Sequence, residues 1–354
     1  MANADDRPTL KITLEDLEKV AVSSEAAGAP LAAAATGAAR QYGNISMSGT
    51  EPVVADEGKS NIFLQGWFYL GAAGLIGALI GWGICEPRFI DPPGGHRWGN
   101  IWMMPLIAAF MCLGYGIAES IVERSLQKAL WRGLPALLLG VVGGFIFDWI
   151  ASILFYILRA IIFELGVQTY RNPAFWISRG LAWMVFGVVG GIVYGLVDRS
   201  GKKVRYGILG GIVGAGLGGM VFDPISMATH AGAPSRAIGF AMLGLATGVA
   251  MGIVESALKD RWMYVASGPL AGKQFILYKP QTVIGSSQQC DIYLFKDTSI
   301  LPQHATIELR GAQTFIYAAG QVYVSGQPVK ARALQNGDLI QVGRYAFHFR
   351  ERQR

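Results

Sequence analysis

The sequence predicts a multidomain chain: a glycine-rich α-helical membrane bundle followed by an all-β sandwich. Three observations carry this reading. Of 354 residues, 52% are hydrophobic, only 15% are charged and 47 are glycine, a balance more apolar and richer in glycine than a soluble domain uses. The apolar runs fall between residues 62 and 258, in stretches near the ~20 residues that cross a hydrocarbon core. Beyond them hydrophobic and polar residues alternate with period two, the pattern of half-buried strands.

The first 61 residues open MANADDRPTLKITLEDLEKV. Acids come first, and there is no basic segment leading into an apolar one, so no cleaved signal peptide is expected. Thr13 with Asp16 offers a capped helix start. The rest of 1–61 is rich in Ala, Gly and Ser and is expected to form a disordered cytoplasmic tail.

Residues 62–258 carry an internal repeat. The runs GALIGWGICEP, GVVGGFIFDW and GAGLGGMVFDP end in Glu86, Asp148 and Asp223, each five residues after Gly81, Gly143 and Gly218. Between them GYGIAES, VYGLVDRS and AMGIVES place Glu119, Asp198 and Glu255 three residues after Gly116, Gly195 and Gly252. The alternation predicts three helical hairpins, that is, six transmembrane helices over about 64–85, 101–119, 133–148, 178–197, 205–222 and 236–256. The run 134–165 has no turn signal. Repeat register places the helix exit at Asp148, with 149–165 lying at the interface or beside the bundle. Were that segment a seventh crossing, the C-terminus would change sides.

Orientation follows basic residues in short loops. Arg124, Lys128, Arg132, Arg199, Lys202, Lys203 and Arg205 sit close to helix ends on one side, which places both termini in the cytoplasm of a multi-pass inner-membrane protein.

Glycines at three- and four-residue spacings predict close helix packing, because lipid supplies no hydrophobic drive for helices to associate. The acids leave two readings open. Glu119, Asp198 and Glu255 at inner helix ends would pair with neighbours such as Arg124, Arg199 or Lys259. Glu86, Asp148 and Asp223 at outer helix ends would meet around an axis and hold a divalent cation or guard a pore. His96 and His230 follow two of these acids at unequal offsets, and Cys85, Cys112 and Cys290 have no metal or disulfide spacing. No metal site, cofactor or catalytic residue is therefore assigned. G-x-S-x-G, H-E-x-x-H, Walker and CxxC patterns are missing, so no enzyme is expected. The net charge of +6 is spread over loops and the C-terminal region, which suits a membrane surface and argues against nucleic acid.

In the β region, GPLAGKQFIL (268–277), TVIGSSQQCDIYLFKDTSILPQHATI (282–307), VYVSGQPV (322–329) and LQNGDLIQVG (334–343) together resemble a forkhead-associated (FHA) domain. The resemblance covers 268–350 and rests on Gly285, His304, Gly337, Asp338 and Gly343 as scaffold positions. It implies a β-sandwich over 262–354 that binds protein partners, usually through phosphothreonine. The family places an arginine after its first glycine, a serine three before the histidine and an asparagine before a later strand. Here those positions hold Ser286, Leu301 and Gly320, so the expected partner is a cytoplasmic protein bound without phosphate, self-association included. Lys296 and Arg344 are the cations placed to compensate. The expected role is a membrane scaffold or signalling adaptor in contact with lipid; the alternative is a channel or transporter with a regulatory FHA-like domain.

Overall fold

The computed structural model describes residues 62–90, 97–167, 169, 171–229 and 232–352. The tail 1–61, His96 and His230 lie outside the described residues. Among the described residues six long helices run α1 Gly66–Cys85, α2 Trp98–Val122, α3 Leu126–Glu164, α4 Pro173–Val197, α5 Gly201–Ala228 and α6 Ala233–Leu258. Each is long and apolar enough to cross a membrane. They pack as a ring in chain order, with α6 returning to α1 and α2 also touching α4 across the centre.

Local chemistry explains where the helices begin and end. Ser125, Asn172 and Ser200 cap α3, α4 and α5 by accepting the N–H of Lys128, Ala174 and Lys203, which satisfies donors that a helix start leaves open. The turns joining α2 to α3 and α4 to α5 share one geometry. Ser125 N–H donates to Ser120 O and Arg124 N–H to Ile121 O; Ser200 and Arg199 repeat this with Gly195 and Leu196. This is the Schellman pattern, with arginine (φ 54° and 53°) holding the left-handed position usually given to glycine.

Helix α3 departs from the expected exit at Asp148. It continues unbroken to Glu164, 39 residues in all, about 58 Å at 1.5 Å per residue. Nothing between Asp148 and Glu164 breaks a helix, and the stop comes only at Gly166, where φ is +80° and Val167 N–H closes back on Ile162 O. The segment 149–164 lies beside α4, with Arg179 over the ring of Phe155 and Phe163 edge-on to Phe175.

The glycines set the helix spacing. A β-carbon on Gly81, Gly143 or Gly218 would meet Ile107, Val189 or Leu243, each on the following helix, at 2.6–2.7 Å. Gly116, Gly195 and Gly252 face α3, α5 and α1 in the same order, and Gly187 meets Gly211 backbone to backbone. Met111, Tyr115, Phe186, Leu243 and Met251 fill the space between the helices.

Two residues after α6 the β domain begins: β1 Arg261–Ser267, β2 Gln274–Ile276, β3 Gln281–Gly285, β4 Ile292–Tyr293, β5 Ala305–Arg310, β6 Gln313–Val324, β7 Gln327–Leu334, β8 Leu339–Val342 and β9 Tyr345–Glu351. The ladder order is β2-β1-β9-β8-β6-β5-β3-β4, with β7 on β6. Only β3 and β4 run parallel. The first half of β6 pairs β5 and its second half pairs β8, so this long strand turns the sheet over on itself. The enclosed core holds Ile284, Ile307, Ile316, Val342 and Phe347.

Candidate functional site

The end of the bundle nearest the β domain gathers the acids expected at inner helix ends, with partners other than those expected. Glu119 accepts from Arg132 (3.2 Å) and Lys203 (3.3 Å). Asp198 takes Arg132 at 2.7 Å and also pairs with Lys203. Glu255 accepts two phenols, Tyr194 at 2.8 Å and Tyr278 at 2.6 Å. The expected cations are placed elsewhere. Arg124 and Arg199 are exposed, because the left-handed turn residue faces away from the packed seam. Arg124 lies over the ring of Phe295, and Lys259 lies over Trp262 and bonds Gln274.

A second acid, Glu123, escaped the sequence reading. It is 1% exposed and binds Lys128 (2.9 Å) from α3 and Lys273 (2.7 Å) from the β domain, the latter also 1% exposed. The signal was present. An acid, an arginine, a serine and a lysine three residues later occur in order at 123–128 and again at 198–203. In both copies the serine caps the helix and the lysine returns to the acid. Lys273 itself leaves no such trace, lying 150 residues from its partner.

These contacts seat the β domain on the bundle. Tyr278 reaches Glu255, Lys273 reaches Glu123, Gln288 accepts from Ser125 and Gln127, and Asp291 O accepts from Lys128. Burial first, and then the Glu255 carboxylate, push the Tyr278 phenol well above its usual range, so it stays protonated as a donor. Between the two parts lies a cavity of about 200 Å³ lined by Trp67, Tyr69, Phe275, Tyr278 and the charged groups around Glu255.

The acids at the outer helix ends do not meet. Glu86 is clasped by Arg236 (2.6 Å) and Asp223 by Arg179 (2.9 Å). Asp148 sits midway along α3 and has no ionic partner among the described residues. Each arginine begins the neighbouring helix, so the nearest opposite charge neutralises its acid before the acids can converge. Among the described residues no three His, Cys, Asp or Glu side chains gather as a metal group.

In the β domain His304 is buried and bridges two segments. Its Nδ1 accepts Leu301 N–H at 3.1 Å, which leaves Nε2 to donate to Gln321 O at 3.0 Å. A β-carbon at Gly320 would strike that imidazole, and one at Gly285 would strike Pro302 O. Asp338 accepts from Ser325 and from Gln335 N–H, while Gly337 and Gly343 hold positive φ. Ser286 donates to Ile300 O at 2.8 Å, and Leu301 is 45% exposed.

Residues 264–353 match the Yop-YscD family described as the inner membrane component of T3SS, cytoplasmic domain. The C-terminal domain is FHA-like. Over 90 residues, 25% of this chain, it is 33% identical to the glycogen accumulation regulator GarA of Mycolicibacterium smegmatis, covering 56% of that protein. It is 31% identical to an oxoglutarate dehydrogenase inhibitor of Corynebacterium glutamicum, covering 62% of that protein. The chain thus spans little more than half the length of these curated relatives. A crystal structure of an FHA domain from Chlamydia trachomatis is 24% identical, covers 27% of this chain and all of its own, and has a TM-score of 0.25.

Proposed function

We propose that this chain is a multi-pass inner-membrane scaffold, without enzymatic activity, that holds an FHA-like protein-interaction domain on its cytoplasmic face and binds its partner without phosphothreonine. The observation that carries the reading is the state of three positions. Ser286 has committed its hydroxyl to Ile300 O, Leu301 offers an exposed apolar side chain, and the room beside Gly320 is taken by His304. A phosphate brings about −1.5 to −2 charges and three acceptor oxygens, and it needs charge-assisted donors in fixed places. The exposed Leu301, Pro302 and Gln303 suit an uncharged protein contact, and the family description as an inner membrane component supports the location.

Titrating the full chain in detergent with phosphothreonine and unmodified peptide libraries tests the reading. Any peptide bound is expected to bind equally in both forms. Binding that weakens tenfold or more on removing the phosphate would refute it.

The proposal includes three hairpins over a domain spanning 62–258, with residues 1–61 and 262–354 on the same, cytoplasmic side. Cysteine labelling from outside the cell, on a cysteine-free background, is expected to modify Arg171→Cys and to leave Lys202→Cys untouched. The reverse pattern would invert the orientation. A channel or transporter would need a polar path between the helices. The apolar filling by Met111, Phe186, Leu243 and Met251 supports the scaffold instead.

A further inference from the structure

From the cavity between bundle and FHA-like domain we infer that the chain binds a small organic ammonium ion, held by the Glu255 carboxylate beside the aromatic residues Trp67, Tyr69 and Tyr278. The charge balance of the lining is the first ground. Glu119 and Asp198 share Arg132 and Lys203, two acids against two bases. Asp291 is matched by Lys279 at 2.7 Å. Glu255 is left over: it is buried, and its two bonds come from neutral phenols. Lys203, stacked on the Tyr194 ring at 4.2 Å, already serves two carboxylates. Among the lining residues Glu255 is thus the carboxylate without an ionic partner, while Lys128 and Lys273, which share Glu123, lie outside the lining, and a cation placed beside Glu255 is attracted where an anion is repelled.

The second ground is the wall. Of the four aromatic lining residues, Phe275 already carries the Lys273 ammonium over its ring at 4.4 Å, which leaves Trp67, Tyr69 and Tyr278; aromatic ring faces attract a desolvated cation, quaternary ammonium above all. A carboxylate supplies the charge complement while the rings replace water around the methyl or methylene groups. Size is the third ground. At about 200 Å³ the space is below the ~300 Å³ of the smallest drug-sized pockets, so the ligand is small. Ser256 and Gln274, both exposed, belong to the lining and mark its mouth. Because Tyr278 comes from the FHA-like domain and Trp67 and Glu255 from the helices, the ion would bind both parts at once and tighten their contact.

The test is calorimetric titration of the full chain in phosphatidylglycerol nanodiscs with choline, tetramethylammonium and ethanolamine, beside 3,3-dimethylbutanol as the uncharged shape of choline. Saturable binding of at least one cation is expected, at least about tenfold tighter than the neutral alcohol. Glu255→Gln and Trp67→Leu should each weaken it by about tenfold or more, with helix content by circular dichroism confirming that the variants fold. If one variant does not fold, the other and the cation-to-alcohol ratio on the unaltered chain still decide. Absence of saturable binding by all three cations, equal binding of the alcohol, or unchanged affinity in a folded Glu255→Gln chain would overturn the inference. The same ammonium chemistry occurs on lipid headgroups. Adding phosphatidylethanolamine to the bilayer should raise the apparent Kd if a headgroup enters the cavity and leave it unchanged if the ligand is a free ion.

Discussion

Replacing Glu123 by alanine is expected to destabilise the protein by about 3–5 kcal/mol and to loosen the FHA-like domain from the helices. The carboxylate is 1% exposed and accepts from Lys128 and Lys273. Its removal leaves the Lys273 ammonium buried without its acceptor and Lys128 with Asp291 O alone, neither facing a counter-charge, and an uncompensated buried charge costs far more than the pair itself contributes. Thermal denaturation in detergent gives the size of the loss. Hydrogen exchange across 259–278 shows where it acts, since Lys273 and Tyr278 each bond a buried carboxylate of the bundle. Combining Glu123→Gln with Lys273→Met should recover part of the loss, because one of the two stranded charges is then gone. An unchanged melting temperature together with unchanged exchange in Glu123→Ala would show that this contact does not seat the domain.

Adding one methyl group at Gly187 is expected to cost about 3 kcal/mol or more, at the upper end of overpacking effects. Its β-carbon would overlap Gly211 O of α5, and Gly191 and Gly195 run along the same seam against Gly207 and Val204. The obstacle is backbone, so no side-chain rotation relieves it, and α4 and α5 must separate along their length. Gly83 is the contrasting position. Among the described residues nothing lies within 4 Å of a β-carbon there, so Gly83→Ala should be neutral or stabilising by up to about 1 kcal/mol through the lower helix propensity of glycine. Unfolding of both variants in mixed detergent measures the difference. Equal stability of the two would mean that close backbone approach does not hold this bundle.

Much of the architecture is legible in the sequence because it is local. Apolar stretches of helical length and a change to period-two alternation after α6 each act within a few residues. The register of Gly81, Gly143 and Gly218 also anticipates three glycines that each face the following helix. Register misleads once. Applied to Asp148 it predicts a helix end, whereas the chain between Asp148 and Glu164 contains nothing that breaks a helix and continues until Gly166. There the local backbone preference outweighs the analogy with the neighbouring repeats.

By itself, then, the sequence determined two regimes of burial, six apolar helices and a small β domain, because periodicity and turn residues operate at short range; the FHA type of that domain came from its resemblance to a family at Gly285, His304, Gly337, Asp338 and Gly343. Only the tertiary structure decided the pairings: Arg132 and Lys203 on Glu119 and Asp198, Lys273 on Glu123, Tyr278 on Glu255, and the cavity that these leave. The reason is physical. In a region shielded from water a charge takes whichever opposite charge or donor the packing brings within about 3 Å, and packing brings together residues such as Glu123 and Lys273, which are 150 positions apart. Chain proximity favoured Arg124 and Arg199 as partners, but the left-handed turns at those two residues turn them out of the seam.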